Sequence, residues 1–510
     1  MVAVKFHPHH LPHDKELGNE WDVPIFYTII CIRNGGVPFS IFRGSETHNR
    51  QAFPRPSAWR KPPASPPIPM NHQETLDYLA AKGNEVLVMH LGLHRTQAMV
   101  ELLGDPHEKY PVIHIAGTNG KGSVAAMTES ILRHSGLRTG LYTSPHLVRV
   151  EERIRVDGEP IAAAAFARLA GRIREAEERL QRHNVIDRPL TTFEFLTCAA
   201  FLHFARRKVE VAVMEVGLGG LLDATNVVRP VVGVVTGVAL DHQDYLGRTI
   251  VKIAREKAGI IKEGVPAVSG CLDPVAQKVV RARARAVGAP LLELGRDFSV
   301  RNLKEKGGRV RFDLDTPDGV IPALAPALRG EYQSRNAALA VMALRSWRAF
   351  PARVGAIRRG LARARWEGRL DEYRAARRTL LDGVHNPEAA GLLRQYLEGR
   401  SEIHMVFGAM RDKNIREIGR VLFPAATRLY LTPLDNSRSA APAEIAALHP
   451  RHQPRMELCS DPRRALAAAW AACPPSGLVV VTGSLYLVGE LLPEVVRSAR
   501  SLAASSRTRT

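Results

Sequence analysis

The 510-residue sequence has few cysteines and no long apolar run. Its five cysteines are scattered, without the spacing of a disulfide framework or a metal site: Cys31, Cys198, Cys271, Cys459 and Cys473. This usage excludes a small disulfide-stapled domain and favours a reducing, cytoplasmic compartment. No uninterrupted apolar stretch reaches membrane-spanning length, and the start of the chain lacks the pattern of a secretory signal. We therefore expect a soluble protein that does not associate with membranes.

Acidic residues are outnumbered by basic ones. The sequence holds 71 Lys and Arg residues but 51 Asp and Glu residues, which gives a net charge of +20. Such a balance first suggests nucleic-acid binding. The arginines are spread over helical segments, however, and no dense basic run alternates with aromatic residues, which make up only 6% of the chain. A basic surface also suits small acidic substrates, and we expect these as partners rather than nucleic acid.

The first 69 residues lack the apolar periodicity of the rest. They hold a histidine-rich cluster and a proline-rich stretch over residues 54–69. Proline does not sustain a helix or a central strand, and such a segment buries little apolar surface. We expect residues 1–69 to form a disordered, solvated extension. Ordered structure is expected from Met70, since Asn71 and Glu74 form a helix-start signature.

Two successive α/β regions follow. Apolar β-branched runs alternate with amphipathic helical segments, which is typical of a buried, largely parallel sheet. Expected strands of the first region are Val112–Ala116, Val209–Val216 and Val231–Gly237, and its expected helices are Lys121–His134, Ile161–Arg182, Phe193–Arg206, Val251–Ile261 and Pro274–Val287. Expected strands of the second are Thr379–Leu381, Ile403–Phe407, Leu429–Leu431 and Leu478–Val481, with helices Glu388–Leu397, Asn414–Leu422, Pro462–Ala472 and Leu485–Ser498.

A polar patch at Asn302–Gly319 predicts a small hairpin, and the arginine-rich Pro351–Gly368 is expected to hold the interdomain link. We expect a central domain over 70–366, a smaller α/β domain over 367–498 and a disordered tail over 499–510.

A glycine-rich turn, Gly117–Ser123, joins the first strand to the following helix. Its glycines allow backbone N–H groups to approach phosphate oxygens at the positive end of that helix. Lys121 adds a charge for the phosphates, and Ser123 a hydroxyl for a magnesium ion. The spacing differs from the common phosphate loop, because only two residues separate the first two glycines and Gly122 stands between the lysine and the serine. The sequence therefore predicts a site for a nucleoside triphosphate.

Polar residues also follow other expected strands, where sites form in α/β sheets. Ser144 follows a short strand, and its alternative role is a turn or a cap. Glu215 ends an apolar strand, where a carboxylate needs a partner such as magnesium or a helix N-terminus. His242 could ligate a metal through a neutral nitrogen, although a single histidine is more often structural. In the second region, Asp382 and His385 follow a strand in the same way.

Eight motifs stand in the order of a known family. They are Gly117-Thr-Asn-Gly-Lys-Gly-Ser123, Thr143-Ser-Pro-His146, Gly217-Leu-Gly-Gly220 with Asp223-Ala-Thr-Asn226, Asp241-His242, Glu256-Lys-Ala-Gly259, Gln333 with Asn336, Leu381-Asp-Gly383 with His385-Asn-Pro387, and Val481-Thr-Gly-Ser484. From about Met70 to Glu490 the chain resembles the folylpolyglutamate synthase / dihydrofolate synthase family, within the Mur ligase-like ATP-dependent amide ligases. The resemblance implies a P-loop-containing Mur ligase-like central domain with a mostly parallel sheet and a smaller Rossmann-like α/β C-terminal domain.

The resemblance also implies a reaction and its residues. It implies a monomeric, ATP-dependent ligase that adds L-glutamate to 7,8-dihydropteroate and to tetrahydrofolates through an acyl phosphate, with Mg²⁺ at two positions. Residues implied in ATP binding are Gly117, Thr118, Asn119, Gly120, Lys121, Gly122, Ser123, Asn336, Arg369, Asp382 and His385. Implied magnesium ligands are Ser144, Glu215 and His242, and residues of the implied pterin site are Thr191, Thr192, Phe193, Glu194, Asp223 and Ala224. Implied catalytic residues are Lys121, His242 and Lys257. Lys257, which taken alone is typical of a solvated charge, matches a lysine that carries a carbamate in the family.

Three positions depart from the family pattern: Leu221 and Leu272, where arginine and glutamine are common, and Val384, where alanine is common. None belongs to the implied phosphate or metal groups, but Leu221 leaves the substrate preference open. Two other functions are kept as alternatives, a Mur-type cell-wall peptide ligase and a basic nucleic-acid-binding protein with a vestigial ATP site. The form of the phosphate loop and the pterin residues argue against the first, and the second rests on charge alone.

Overall fold

A computed structural model describes residues 27–32, 38–44, 69–83 and 92–507 of the chain. The chain divides into two compact units, Met1–Ala58 and Trp59–Thr510. In the first unit, strands β1 (Tyr27–Ile32) and β2 (Pro38–Gly44) pair antiparallel.

These two strands lie in the segment that was expected to be disordered, so that expectation is wrong for them. Both are rich in β-branched and aromatic residues, and the sequence between them contains a Gly-Gly pair, which is a hairpin signal. The histidine cluster and residues 54–68 lie outside the described residues.

An eight-stranded sheet forms the centre of the second unit. Its strands are β3 (Val112–Ala116), β4 (Thr139–Tyr142), β5 (Ile154–Val156), β6 (Glu159–Pro160), β7 (Val211–Glu215), β8 (Val232–Val235), β9 (Ala267–Ser269) and β10 (Leu291–Glu293). The order across the sheet is β10-β9-β8-β3-β7-β4-β5-β6. Neighbours from β10 to β4 run parallel, and β5 and β6 pair antiparallel at the edge. Strands β3, β7 and β8 are buried along their whole length, as their apolar runs predict.

Helices accompany both faces of this sheet. They are α1 (His72–Ala81), α2 (His94–Leu102), α3 (Lys121–Arg133), α4 (Ala163–Arg182), α5 (Thr192–Arg206), α6 (Gln243–Leu246), α7 (Ile250–Ala258), α8 (Pro274–Ala286), α9 (Gln333–Ser346) and α10 (Val354–Arg363). One apolar cluster unites Phe195 of α5 with Tyr142 of β4. A second unites Val124 of α3 and Leu339 of α9 with Ile115 of β3. The sheet is therefore buried between two helical layers, as an α/β fold requires.

A three-stranded antiparallel sheet follows, with strands β11 (Ser299–Lys306), β12 (Arg309–Thr316) and β13 (Gly319–Leu324). The expectation of a hairpin over 302–319 was wrong in extent, because a third strand continues beyond it. Phe312 and Leu314 of β12 are buried with Ile321 of β13 in one apolar cluster. This alternation of buried and exposed residues is typical of a sheet with one face on the core.

The stretch that was expected to hold the interdomain link contains a helix, α10. Gly360 lets α10 approach α3 closely, since a β-carbon there would lie 2.4 Å from the α-carbon of Ile131. Ser130 Oγ donates a hydrogen bond to the Gly360 carbonyl at 2.8 Å. The connection between the two domains is therefore confined to the residues after α10.

The C-terminal domain is a six-stranded sheet of order β14-β15-β19-β16-β17-β18. Its strands are β14 (Asp371–Arg374), β15 (Arg378–Asp382), β16 (Ile403–Phe407), β17 (Arg428–Leu431), β18 (Met456–Leu458) and β19 (Leu478–Thr482). Its helices are α11 (Pro387–Tyr396), α12 (Ile415–Leu422), α13 (Pro442–Ala447), α14 (Pro462–Ala472) and α15 (Leu485–Arg507). All strand pairs are parallel except β14 with β15. The edge strands β14 and β18 and helix α13 were not expected from the sequence.

Helix α15 runs through most of the tail that was expected to be disordered from residue 499. Ala499 packs against the apolar cluster of this domain, and Ser498 Oγ accepts a hydrogen bond from the Ala376 amide at 2.9 Å. Alanine has the highest helix propensity, and three alanines together with Leu502 continue the helical pattern here. Residues 508–510 lie outside the described residues.

The turn between β11 and β12 reaches the C-terminal domain. Gly308 has a φ of 78°, and a β-carbon there would lie 2.6 Å from the ring of Tyr396 on α11. The Gly330 amide donates to the Gly308 carbonyl at 2.8 Å. Glycine is required at this position by both the backbone conformation and the close approach of the ring.

Strand ends of the two domains face one another. Strand β3 ends at Ala116 and β15 at Asp382. Just beyond these ends, Asn386 Nδ2 donates to Asn119 Oδ1 at 2.9 Å. Loops of both domains therefore share one junction. Among the helices of the described residues, none is both long and apolar enough to cross a membrane.

Candidate active site

The phosphate loop connects β3 to α3. Gly117 and Gly120 have φ values of 150° and 84°, in the region that favours glycine. Lys121 is the first residue of α3, and its Nζ donates to the carbonyls of Gly117 (3.0 Å) and Thr118 (3.2 Å). Burial lowers the pKa of Lys121, while the neighbouring Glu215 acts to raise it. The lysine thus lies over its own loop, as a phosphate-binding lysine must.

Helix α9 supports this loop from the side. Gln333 Nε2 donates to Ser123 Oγ at 3.2 Å, and Asn336 Nδ2 donates to Gln333 Oε1 at 2.9 Å. A β-carbon on Gly120 would lie 2.6 Å from Asn336 Oδ1. The structure therefore brings Asn336, implied in ATP binding by the sequence, directly to the loop.

Glu215 ends β7 beside the loop. The Ser144 amide donates to Glu215 Oε2 at 3.2 Å, so two of the implied magnesium ligands are adjacent. Burial raises the pKa of Glu215 to about 7, and the Lys121 charge opposes this rise. Within the described residues, no group of three His, Cys, Asp or Glu side chains converges as a metal cage.

Asp241 and His242 follow β8 and face the C-terminal domain. Lys413 Nζ lies 2.9 Å from Asp241 Oδ1 and 3.3 Å from His242 Nε2. Asn386 Nδ2 donates to Asp241 Oδ2 at 3.2 Å, and His385 Nε2 lies 3.7 Å from the same oxygen. One carboxylate of the central domain is therefore surrounded by polar groups of the C-terminal domain.

The electrostatics of this group keep Asp241 charged and the histidines neutral. Burial acts to raise the pKa of Asp241, but the ammonium group of Lys413 holds it well below its usual range. Burial lowers the pKa of His242 to about 3 and that of His385 to about 4. His242 has a φ of 50°, a conformation that costs energy outside glycine and is common at functional sites. A neutral imidazole can accept a proton or a metal ion.

Lys257 lies on α7, directly behind the phosphate loop. Its Nζ donates to the Gly117 carbonyl at 2.9 Å. Burial lowers the pKa of Lys257 to about 7, and the Lys121 charge acts in the same direction. The lysine is buried, so it is not the solvated surface charge that its isolated sequence context suggested.

Asp382 and Arg369 lie at the linker side of the site. The Leu370 amide donates to Asp382 Oδ2 at 2.8 Å. Burial raises the pKa of Asp382 to about 6, and the Arg369 charge opposes this rise. The two residues implied in ATP binding from the linker and the second domain are thus neighbours.

Two cavities open at the junction. The large cavity, of about 1260 Å³, is lined by residues that include Gly122, Ser144, Glu215, Trp366 and Arg369. The small cavity, of about 210 Å³, is mainly apolar. Its lining includes the implied pterin residues Thr191, Phe193, Glu194, Asp223 and Ala224, together with His242, His385, Lys413, Arg438 and Tyr486. Ser144 lines both cavities.

Thr192 does not line the small cavity. Its hydroxyl donates to the Leu79 carbonyl at 3.3 Å, which holds α1 against α5. The implied role of Thr192 in pterin binding therefore has no support in the geometry.

Glu194 lines the small cavity, but its carboxylate already binds other groups of the protein. Arg95 Nη2 lies 2.8 Å from Glu194 Oε1, and both side chains are almost wholly buried. The Thr191 amide donates to Glu194 Oε2 at 2.8 Å, and the Glu194 amide donates back to Thr191 Oγ1. This capping box fixes the first turn of α5. Glu194 therefore positions the neighbouring Phe193, whose ring packs against Gly217.

Asp223 organises the loop that carries Gly217. Its Oδ2 accepts from the amides of Gly217 and Leu218, both at 3.0 Å, and its Oδ1 accepts from the Thr225 amide at 2.9 Å. Burial raises the pKa of Asp223, and these hydrogen bonds oppose the rise. Asp223 thus shapes the part of the cavity wall against which the Phe193 ring packs.

Three further charged residues of the site, Lys413, Arg438 and Arg95, were not predicted from the sequence. Lys413 stands six residues after the buried strand β16, so the strand-end signal that identified Asp382 was also available for it. Arg438 follows the buried strand β17 at a similar distance, whereas Arg95 lies within α2, where an isolated arginine is typical of a solvated face.

Comparisons with known proteins agree with this geometry. Two family models match, the Mur ligase middle domain over residues 115–344 and the Mur ligase, glutamate ligase domain over residues 368–485. A folylpolyglutamate synthase of Lacticaseibacillus casei is 39% identical over 82% of this chain and 97% of that protein. A dihydrofolate synthase/folylpolyglutamate synthase of Escherichia coli is 33% identical over 81% of this chain and 92% of that protein. The solved structure of E. coli FolC in complex with DHPP and ADP has a TM-score of 0.76 and 31% identity, and covers 86% of this chain and 100% of that chain.

Proposed function

Since the chain belongs to the folylpolyglutamate synthase / dihydrofolate synthase family of Mur ligase-like proteins, we propose that it is an ATP-dependent ligase that joins L-glutamate to 7,8-dihydropteroate and to the γ-carboxylate of tetrahydrofolates. One observation carries this proposal: the phosphate loop, the buried Glu215 and the small cavity lie together where the two domains meet. A Mur-type cell-wall ligase is not favoured, because the relatives are named as folate ligases.

The reaction that this arrangement supports activates a carboxylate, which by itself resists attack by an amine. A carboxylate oxygen attacks the γ-phosphorus of ATP, ADP leaves, and an acyl phosphate forms. The amine of L-glutamate attacks the acyl carbon, phosphate leaves, and the nitrogen loses a proton as the amide forms. Lys121 stabilises the charge on the transferred phosphoryl group. Closure of the two domains shields the acyl phosphate from water.

Magnesium fits the donors beside the phosphate loop. Mg²⁺ is usually held by one or two carboxylates, with substrate phosphates and water completing its shell. Glu215 is a buried carboxylate whose pKa is raised by burial, so a nearby cation would stabilise its charged form. We assign Glu215 and Ser144 as ligands, and His242 as a ligand at a second position once Lys413 has moved from its Nε2. Bound there, magnesium would neutralise charge on the ATP phosphates.

We propose that Lys257 carries a carbamate in the active enzyme. Because burial lowers its pKa to about 7, a large fraction of the amine is neutral at physiological pH. A neutral amine adds to the carbon of CO₂ and releases a proton, which converts the side chain to an anion. Its position 2.9 Å from the Gly117 carbonyl would put that anion beside the phosphate loop. Dependence of activity on added bicarbonate, absent in Lys257→Gln, tests this assignment.

The small cavity is the proposed substrate site. The Phe193 ring and the side chains of Leu218 and Leu222 give it apolar walls suited to a flat heterocycle. Lys413 and Arg438 add cations that suit a carboxylate of the substrate. Both halves of the site come from one chain, so we propose that the enzyme acts as a monomer.

The proposal is tested with purified protein, Mg-ATP and labelled L-glutamate. Incorporation with both 7,8-dihydropteroate and a tetrahydrofolate is expected. Incorporation with the folate alone would restrict the activity to polyglutamylation and point to the loop that carries Leu221. Absence of incorporation with either pterin, or turnover of a UDP-muramoyl substrate instead, would overturn the proposal.

A further inference from the structure

The phosphate loop of this chain carries a glycine that the common loop lacks, between its lysine and its serine. Gly122 is the second residue of α3 and lies within the regular helix. Its φ is not in the region that favours glycine. Glycine also weakens a helix relative to alanine. Backbone conformation therefore does not explain why this position is glycine.

The indole of Trp366 occupies the space where a side chain at position 122 would lie. A β-carbon on Gly122 would be 2.6 Å from Trp366 Cζ2 and 2.7 Å from both Cε2 and Nε1. Real β-carbons do not approach ring atoms this closely, since the atoms would overlap. Trp366 is half-buried and packs against the apolar cluster that includes Val124 and Ile131 of α3. The contact is thus between the phosphate loop helix and a side chain of the interdomain linker.

The linker after Trp366 leads directly to residues at the nucleotide side of the junction. Gly368 accepts a hydrogen bond from the Gly383 amide at 3.0 Å, which ties the linker to the end of β15. Arg369 follows, and the Leu370 amide holds Asp382. Gly122, Trp366 and Arg369 line the same large cavity. The indole therefore contacts the phosphate loop helix just before the linker reaches the Arg369–Asp382 pair.

We propose that Trp366 is a positioning residue for ATP, and that position 122 is glycine because the indole must reach the phosphate loop there. The proposal rests on the proposed use of ATP. The indole holds the linker against α3, so that Arg369 and Asp382 stay within reach of a nucleotide whose phosphates lie at Lys121. Loss of the indole leaves both binding elements intact but no longer fixes their separation.

The test is a double-substitution cycle with Gly122→Ala and Trp366→Ala. In the native background, Gly122→Ala is expected to lower the melting temperature and to weaken ADP binding about tenfold, because the added methyl displaces the indole. In the Trp366→Ala background the same change is expected to leave ADP binding unaltered and to raise the melting temperature, since alanine then has room and favours the helix. The effect of Gly122→Ala on the melting temperature is thus expected to reverse its sign when the indole is removed, which would show that residue 122 and Trp366 are in contact.

Kinetics separate positioning from simple packing. Trp366→Ala is expected to raise the KM for ATP about tenfold and to leave the KM for L-glutamate unchanged, while Trp366→Phe keeps most of the ATP affinity. Trp347→Ala is the matched control, since Trp347 is also half-buried and packs against the same cluster but does not line the large cavity. It is expected to lower the melting temperature without a change in ADP affinity.

Two results would overturn the proposal. If Gly122→Ala is equally harmful with and without the indole, the glycine serves the phosphates and not Trp366. If Trp366→Ala lowers only the melting temperature, as Trp347→Ala does, the indole is a packing residue. ADP affinity and melting temperature need no ligase assay, so a protein that binds ADP but joins no glutamate would sink the proposed function while leaving this inference standing.

Discussion

The ammonium group of Lys413 in the C-terminal domain lies 2.9 Å from the Oδ1 atom of Asp241 in the central domain, and both side chains are about nine-tenths buried. The other oxygen of Asp241 accepts from Asn386, which also donates to Asn119 of the phosphate loop. A single carboxylate thus connects the substrate cavity, the second domain and the nucleotide loop.

Lys413→Met should abolish most glutamate incorporation. The substitution leaves Asp241 buried without its cation, which typically costs about 3 kcal/mol of folding free energy or more. Denaturant unfolding and initial rates measure the two effects, and Lys413→Arg should retain part of both. Arg411→Met removes an exposed cation two positions earlier and should change neither. Full activity in Lys413→Met would exclude the ion pair from the site.

Lys121→Ala and Glu215→Ala should each reduce turnover by about a hundredfold or more, since each removes a group that stabilises the transferred phosphoryl charge. Both proteins should remain folded, because Lys121 is only half-buried and Glu215 lines a solvent-accessible cavity. ADP release and circular dichroism test the two halves of this expectation. Lys109→Ala, at an exposed lysine, is the control. Rates near those of the native protein would show that the phosphate and metal assignments are wrong.

Arg95→Met should raise the KM for dihydropteroate about tenfold while the KM for ATP stays unchanged, because Arg95 acts through Glu194 on the position of Phe193. It should also lower the free energy of unfolding by about 3 kcal/mol, as loss of one partner of a buried ion pair does. Glu194→Gln keeps an acceptor for the Thr191 amide and should show the smaller effect. Equal increases in both KM values would mean a general loss of structure and no specific positioning.

The free energy of unfolding should decrease as the pH rises through the range in which Asp382 titrates. Burial raises the pKa of this carboxyl from 3.8 to about 6 in the folded protein, so the folded state holds its proton more tightly than the unfolded state. The resulting stabilisation is complete below the unfolded value and is lost as the pH rises through about 6. Asp382→Asn removes this titration. Its melting temperature relative to the native protein should therefore increase between pH 4 and pH 7, roughly following that curve. Asp244→Asn, at an exposed carboxyl group, is the control. If the melting temperatures of Asp382→Asn and the native protein changed in parallel with pH, Asp382 would not be the titrating group.

A chain that begins at Met70 should keep full activity. Helix α1 and the residue after it are attached to the central domain by two contacts. Lys82 Nζ lies 2.8 Å from Glu177, and His72 Nε2 lies 2.5 Å from Glu151. A chain that begins at Gly83 loses α1 and both contacts, and should melt at a lower temperature. Thermal denaturation and the ligase assay compare the two. Loss of activity in the longer of these chains would give residues 1–69 a role.

The interior strands could be predicted from the sequence, whereas the edges could not. Val112–Ala116 and Ile403–Phe407 were expected with their observed bounds, because a strand buried on both faces shows as a continuous apolar run. Strand β14, whose sequence is Asp-Glu-Tyr-Arg, lies at the edge of its sheet and is only partly buried. An edge strand of this kind needs no apolar run, so its sequence carried no strand signal. Helix α15 was expected to end too early, because polar residues near its end hid an alanine-rich continuation.

Local motifs revealed the phosphate loop, but contacts between distant residues stayed hidden. Gly117 to Ser123 are contiguous, so their spacing alone carries the prediction. Arg95 and Glu194 are 99 residues apart, and Lys413 is 172 residues from Asp241. Neither pair has a local pattern, so only the fold brings the charges together. The pterin residues illustrate the same limit, since the family resemblance implied Thr192 in the site while its hydroxyl donates to the Leu79 carbonyl.

The turn at Gly308 gives the C-terminal domain a support beyond the covalent linker and the Asn119–Asn386 pair. The Gly330 amide donates to the Gly308 carbonyl, so the same turn is also tied to the segment that leads into α9. Any side chain at position 308 would meet the Tyr396 ring. A substitution of this one glycine would therefore disturb the packing between the two domains as well as the turn, although it lies far from Gly117 and Lys121 in the sequence.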